Sequence, residues 1–341
     1  MAGAAGLTGR LTPVRTGFTG AAKPNCYKLL ISVVVLFSYI IRRLFQSIFV
    51  LLGVSLIVFM LVQLAGDPVL IMLSGTGATE ADLQELRAEL GLDDPLPIQY
   101  LRYLADVARG DLGKSLRSKQ PALSLVLNRL PATAQLATLA MLMAMVAAVP
   151  LGILSAVRRN TWVDHAATLL ASLGQAIPLY WLGIMLVLFF AVELRWFPPG
   201  GSGSWRHLVL PVFTLGLYPM ARITRLLRAS LLDTLQEDYT RTARSKGLHE
   251  RAVVTKHALR NAVLPVVTVV GLMFGALLGG AVITETIFAW PGVGSLTIEA
   301  IQNRDYPLVL AAVFVLSVVF IAINLFVDLL YVYIDPRIRY R

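Results

Sequence analysis

Between Asp238 and Pro265 lie the residues whose types and order point most directly to a function. The stretch reads Asp-Tyr-Thr-Arg-Thr-Ala-Arg-Ser-Lys-Gly-Leu and closes on His-Ala-Leu-Arg-Asn-Ala-Val-Leu-Pro. It is polar and basic, and segments apolar enough to cross a bilayer lie on either side. A cationic, helix-compatible insert cannot sit in hydrocarbon, so it must be a loop in water. Its charge places it on the cytoplasmic side. A membrane protein that keeps a folded loop between two spans offers a docking surface to a soluble partner.

Few other residues could do chemistry. The four histidines, His165, His207, His249 and His257, are scattered, and His249-Glu250 fails the His-Glu-x-x-His pattern because position 253 is Val. The single cysteine, Cys26, excludes an intramolecular disulfide and any multi-cysteine metal site. No Gly-x-x-x-x-Gly-Lys-Ser/Thr phosphate loop occurs, so the chain has no ATPase motif of its own. A membrane-embedded hydrolase would need a buried nucleophile and base, and none is legible. The net charge of +10 could suggest nucleic acid, but a positive-inside bias explains it better.

With 57% hydrophobic and 15% charged residues, the chain has more apolar surface than a soluble core needs. Six segments reach the roughly 20 residues needed to cross a bilayer. They are 44–64, 136–157, 166–192, 208–227, 262–283 and 307–334, and they predict an all-α polytopic membrane protein. An N-terminus inside puts 20 Lys and Arg on the cytoplasmic side and 10 outside, seven of the latter in the long segment 65–130. That asymmetry orients the chain with both termini cytoplasmic. Arg158-Arg159 and the row Arg222, Arg225 and Arg228 are then expected near anionic lipid headgroups.

Those elements must position the loop and any path through the bilayer. Residues 1–35 read as an N-terminal extension, disordered or interfacial, because Leu29–Ile41 is too short to span. Residues 36–64 hold the first span. Residues 65–130 read as a small helical extracytoplasmic insertion, with amphipathic helices at 78–90 and 98–107 and a loop at Gly110-Asp111-Leu112-Gly113. Residues 131–341 form the remaining transmembrane domain, with the basic loop at 229–261.

Polar residues inside the spans are the candidates for a hydrated path, since each is costly in lipid. Gln135, Gln175 and Asn324 are the strongest. Thr138, Ser172, Thr214, Thr268 and Ser317 suit interhelical hydrogen bonds, and Asp328 suits an ion pair with a basic residue. Pro178, Pro211, Pro219 and Pro265, with the stripe Gly271, Gly275, Gly279 and Gly280, supply hinges and close helix contacts. After the fifth span, Ile283-Thr-Glu-Thr-Ile-Phe-Ala-Trp-Pro-Gly-Val-Gly294 mixes an acid, interface aromatics and a Pro-Gly turn.

These blocks together resemble the inner-membrane permeases of ABC importers, in the dipeptide, oligopeptide and nickel branch. Arg241-Thr242-Ala243 stands where that family's Glu-Ala-Ala signature falls, Gly247 follows four residues after Ala243, and Leu264-Pro265 closes the motif. The sequence departs from the general signature at Arg241 and Thr242 but keeps the branch's Arg-Thr-Ala-Arg-x-Lys-Gly-Leu. The 283–294 segment, Asn303-Arg-Asp-Tyr-Pro307, Asn324–Tyr331, Ala65-Gly-Asp-Pro68 and Asp335–Tyr340 look like other blocks of the family, so the resemblance covers about 37–341.

The resemblance implies a subunit that moves di- or oligopeptides inward, with glutathione, a nickel chelate or another small solute as the alternative. It implies a second, homologous permease, two ABC ATPase subunits that bind ATP and Mg, an extracytoplasmic solute-binding protein, and no cofactor in this chain. ATPase coupling falls to Asp238, Tyr239, Arg241, Thr242, Ala243, Arg244, Lys246, Gly247, Leu248, His257, Arg260, Asn261 and Pro265. The outer gate or binding-protein contact falls to Glu285, Phe288, Trp290, Pro291, Gly292 and Gly294. A passive channel or scaffold, the rival reading, would not need the loop at 238–260.

Overall fold

The structure is a computed structural model and describes residues 25–64, 81, 84, 87 and 93–334. Helix α1 runs Asn25–Leu64, a single helix of 40 residues. The first span therefore has no helix start near position 36 or 44. Leu29–Ile41, too short to span alone, joins the following apolar run because Arg42-Arg43 interrupts hydropathy without interrupting helix propensity. Residues 1–24 lie outside the described residues, as do most of 78–90, Ala65-Gly-Asp-Pro68 and Asp335–Tyr340. The chain divides into two compact units between Arg42 and Arg43, and the larger unit holds every element after α1.

Helix α2 (Leu96–Ala108) starts behind Pro95 and ends at Arg109 and Gly110, matching the second expected helix of the insertion. It packs on α1 through aromatic rings, with Phe59 against Tyr100 at 5.4 Å between centroids, and the Tyr100 hydroxyl lies 2.9 Å from Ser55 Oγ. Helix α3 (Ala122–Val157) follows. Then come α4 (Trp162–Ala176) and α5 (Leu179–Leu186), which continues in π-helical form over Val187–Glu193. Helix α6 (Arg206–Gln236) leads into the short α7 (Asp238–Ser245). One turn at Glu250–Ala252 and a π-helical stretch at Val253–Ala258 feed α8 (Leu259–Ile287). Helices α9 (Val293–Gln302) and α10 (Tyr306–Ile334) complete the described elements. The described residues contain no strand, only an isolated bridge between Lys114 and Pro121.

Among the described residues, four helical stretches are long and apolar enough to cross a membrane, at Ile41–Leu61, Ala122–Val157, Glu250–Gly279 and Tyr306–Leu329. Helices α4 and α5, bent by 102° at their junction, make a fifth when counted as one broken span. The break follows from Pro178, which has no N–H to continue α4 and pushes Ile177 out to an extended backbone. The remaining predicted span, 208–227, lies inside α6, where Arg222 and Arg225 dilute the apolar run.

The core lies where α3, α6 and α8 meet. In a bilayer, lipid is as apolar as leucine, so helices associate by close packing more than by escape from water. Ala137, Ala140, Ala144 and Ala148 are fully buried along α3. A Cβ on Gly216 of α6 would lie 2.7 Å from the Ala140 carbonyl oxygen, so the two backbones nearly touch there. Two glycines of the expected α8 stripe do similar work against α10: a Cβ at Gly271 would overlap Val327, and one at Gly275 would reach Phe320, whereas one at Gly279 would meet no described atom within 4 Å.

Candidate functional site

The loop at 238–261 is folded. Helix α7 carries Asp238 in its first turn and Arg244 in its last, each charge complementing the helix dipole. It ends because Gly247 adopts φ +77°, a left-handed conformation that side chains resist. The Gly247 N–H then donates to the Arg244 carbonyl at 2.9 Å and the Leu248 N–H to the Ala243 carbonyl at 3.3 Å, closing a Schellman motif. Across this turn Arg244 grips Glu250 twice, at 3.1 Å through Nε and 2.8 Å through an Nη. The Glu250 carboxylate holds the Arg244 guanidinium above its ordinary pKa by that hydrogen bond.

The loop has an anchored side and an open side. Thr240 and Ala243 are buried, and the Thr240 hydroxyl donates to the Glu237 carbonyl at 2.6 Å. Tyr239, Arg241, Thr242, Arg244, Lys246, Gly247 and Leu248 are exposed, as are Asp238, Arg260, Asn261 and Pro265, while His257 is half-buried. Tyr239 and Leu248 stand among these cations with 38% and 41% of their surface in solvent. No described atom lies within 4 Å of where a Gly247 Cβ would point. The left-handed backbone favours glycine there, and no described atom fills the space beyond it.

The 283–307 region is built the opposite way. Glu285 is fully buried. Its carboxylate accepts from Thr133 Oγ1 at 2.7 Å and from the Ser295 N–H at 3.1 Å. Thr133 in turn accepts the Val293 N–H at 2.8 Å, so Thr133 of α3 and Glu285 together cap the start of α9, whose own N-cap Gly292 has no side chain to do so. Trp290 Nε1 donates to the Ala132 carbonyl at 2.9 Å. A Cβ on Gly292 would collide with the Glu285 carboxylate, and one on Gly294 with Cα of Val282 at 2.5 Å, so both glycines make room for the acid. Phe288 and Trp290 are buried, and Pro291 is half-buried. In this conformation the interface-belt placement expected of the two aromatics gives way to a packed node. A second node lies nearby: buried Asp305 accepts from Ser115 Oγ at 2.5 Å and the Leu116 N–H at 3.0 Å, tying the segment before α3 to the turn before α10.

Two groups of span residues take specific partners. Arg228, in the row expected near headgroups, forms a two-pronged pair with Asp164, at 2.6 and 2.7 Å. Asp164 also accepts from Ser155 and from the Asn160 N–H, which locks the α3–α4 turn to α6. Sequence spacing could not show this, since 64 residues separate the partners. Thr214, Thr268 and Ser317 donate to carbonyls four residues back in their own helices and make no interhelical bond among the described residues. Asp328 pairs with a basic residue as its position suggests, meeting Arg43 at 3.1 Å. Gln175 accepts from Arg225 at 2.8 Å, Asn324 bonds the Phe320 carbonyl, and Gln135 is exposed. These three polar residues are not brought to one place by any shared contact among the described residues.

The described residues define a helical chain with several membrane-capable stretches and a folded basic loop, the architecture of a polytopic membrane protein. Residues 148–340 match the model of the binding-protein-dependent transport system inner membrane component, and residues 36–137 match its N-terminal companion model. The chain is a member of that family. It is 45% identical over 305 residues to the glutathione transport system permease protein GsiC of Pectobacterium atrosepticum, covering 89% of this chain and 99% of that one. It is 42% identical over 332 residues to the dipeptide transport system permease protein DppB of Alkalihalophilus pseudofirmus, with the same coverage. It is 43% identical over 305 residues to GsiC of Escherichia coli strain K12, again covering 89% and 99%.

Proposed function

We propose that this chain is one of two permease subunits of an ABC importer for di- or oligopeptides, glutathione being the alternative solute. The observation that carries the coupling role is the anchored yet open α7 loop. Its polar cations and two exposed apolar side chains, Tyr239 and Leu248, present mixed chemistry to water on a helix held from behind by Thr240 and Ala243. Such a surface suits an ATPase subunit that pushes on α7 when ATP closes it, with ATP and Mg held entirely by that partner. The motion would pass directly into α6 and α8, the helices the loop joins.

In this reading the chain crosses the membrane six times, with α6 as the crossing that hydropathy underrates, and both termini and α7 face the cytoplasm. The partners are a homologous permease, two ATPase subunits and an extracytoplasmic solute-binding protein. That protein would meet exposed backbone and loop residues around 283–307, held in shape by the buried Glu285 and Asp305 nodes. The relatives named for dipeptide and glutathione transport support a solute of that size.

Orientation is tested by single cysteines in a Cys26→Ala background. Ser118, Ser202 and Ser245 are all exposed. Cysteines at 118 and 202 should react with an impermeant thiol reagent in intact spheroplasts, and one at 245 only after permeabilisation. Labelling of 245 from outside would overturn the assignment.

A further inference from the structure

Three arginines recur every third residue along α6, and two of them are occupied. Arg228 holds Asp164 and Arg225 holds the Gln175 side chain, both on α4. Arg222 has no hydrogen-bond or ion-pair partner among the described residues. It lines a cavity of about 450 Å³ between the α4–α5 break, α6 and α8, whose other walls include Ile177, Leu179, Tyr218, Leu272 and Met273. Arg222 is exposed. If α6 crosses the bilayer as proposed above, a guanidinium with no protein partner must face water, a solute or a headgroup rather than lipid tails, and ionisable residues so placed mark solute pathways by default.

A second feature converges on the same space. Helix α5 begins at the break, behind Pro178, and no side chain caps it. Ile177, Leu179 and Leu182 border the cavity, so its first turn lies at the cavity wall. The leading N–H groups of a helix carry partial positive charge and favour anions. Interrupted membrane helices are tolerated where they line a cavity rather than lipid. The volume is in the range of small-molecule sites.

We propose that Arg222 and the first turn of α5 form a carboxylate-recognition subsite for the solute in transit, with the apolar wall receiving its side chains. The guanidinium fork can take a planar carboxylate through two parallel bonds. This rests on the importer reading for the identity of the solute, but not for the anion preference of the cavity.

The test uses the purified full-length chain in nanodiscs of neutral phosphatidylcholine, titrated with Ala-Ala, with Ala-Ala amide and with glutathione while the thermal midpoint is followed. Ala-Ala or glutathione should raise the midpoint saturably. The amide should bind more weakly by about tenfold or more, the worth of a charged hydrogen bond. Arg222→Gln should lose the response while its ligand-free midpoint stays at or above that of the wild type, and Arg222→Lys should keep part of the response, since the charge remains without the fork.

Equal responses to acid and amide, an unaltered response in Arg222→Gln, or no response to any probe would overturn the subsite. So would abolition of the response by phosphatidylglycerol, which would make the cavity a lipid-headgroup site. Uptake of labelled Ala-Ala and glutathione by the assembled transporter separates the two claims. Arg222-dependent binding without uptake of either solute by the wild type would remove the peptide-import reading and leave the subsite standing. Uptake untouched by Arg222→Gln would remove the subsite and leave the import reading.

Discussion

The α7 loop and the 283–307 region are both rich in charge and turn residues, yet they spend them differently. At 283–307 the carboxylates of Glu285 and Asp305 are buried and saturated by donors from other elements. In the loop the two-pronged ion pair of Arg244 with Glu250 lies at the surface, and the other cations are largely in water. A buried, satisfied carboxylate fixes geometry, because leaving its donors unpaired is expensive. An exposed cation fixes little and remains available. The difference teaches that family-like motifs at the two sites encode different things: one a rigid node, the other a surface kept free.

The sharpest break of this comparison is Gly247→Trp. The side chain would project into open space where a partner approaches, and uptake of labelled peptide should fall to near background while the protein still inserts and the ATPases dissociate on purification. Gly247→Asn is the control. Asn tolerates the left-handed backbone better than other side chains, so it should keep most uptake, with a stability cost of about 1 kcal/mol or less. Full uptake in the Trp variant would show that the space beyond Gly247 is not a docking face.

Next in size is Glu285→Ala, which leaves the Thr133 hydroxyl and the Ser295 N–H without their acceptor at a buried site. Thermal or denaturant unfolding of the purified protein should report a loss of roughly 1–3 kcal/mol, whereas Glu285→Gln should recover part of it by keeping an acceptor. A stability unchanged by the Ala substitution would mean that the node is not structural. Ser115→Ala should cost less, about 1 kcal/mol, since Asp305 keeps the Leu116 N–H. The smallest effect belongs to Arg244→Ala. Its pair with Glu250 is exposed, so unfolding should shift by only about 0.2–1 kcal/mol, and a larger loss would place the loop with the rigid region.

Much of this is legible in the order of residues alone. Hydropathy runs long enough to cross a bilayer pick out every membrane-capable helix among the described residues, and the 98–107 periodicity picks out α2. The Arg-Thr-Ala-Arg-Ser-Lys-Gly-Leu order locates α7 and its glycine end. These are local properties: span length, helix period and left-handed glycine are decided by neighbours in sequence, so composition and order suffice. Positions that read as one kind of polar residue, by contrast, part once packed. Arg222, Arg225 and Arg228 share a spacing, but one meets Asp164, one meets Gln175 and one is left facing a cavity. Glu285 looks like a surface acid beside a turn until Thr133, 152 positions away, and the start of α9 close over it. Which charge is buried, paired or free depends on which helices approach. That is decided by close packing of small residues such as Ala140 on Gly216, a contact between distant segments that no local pattern records.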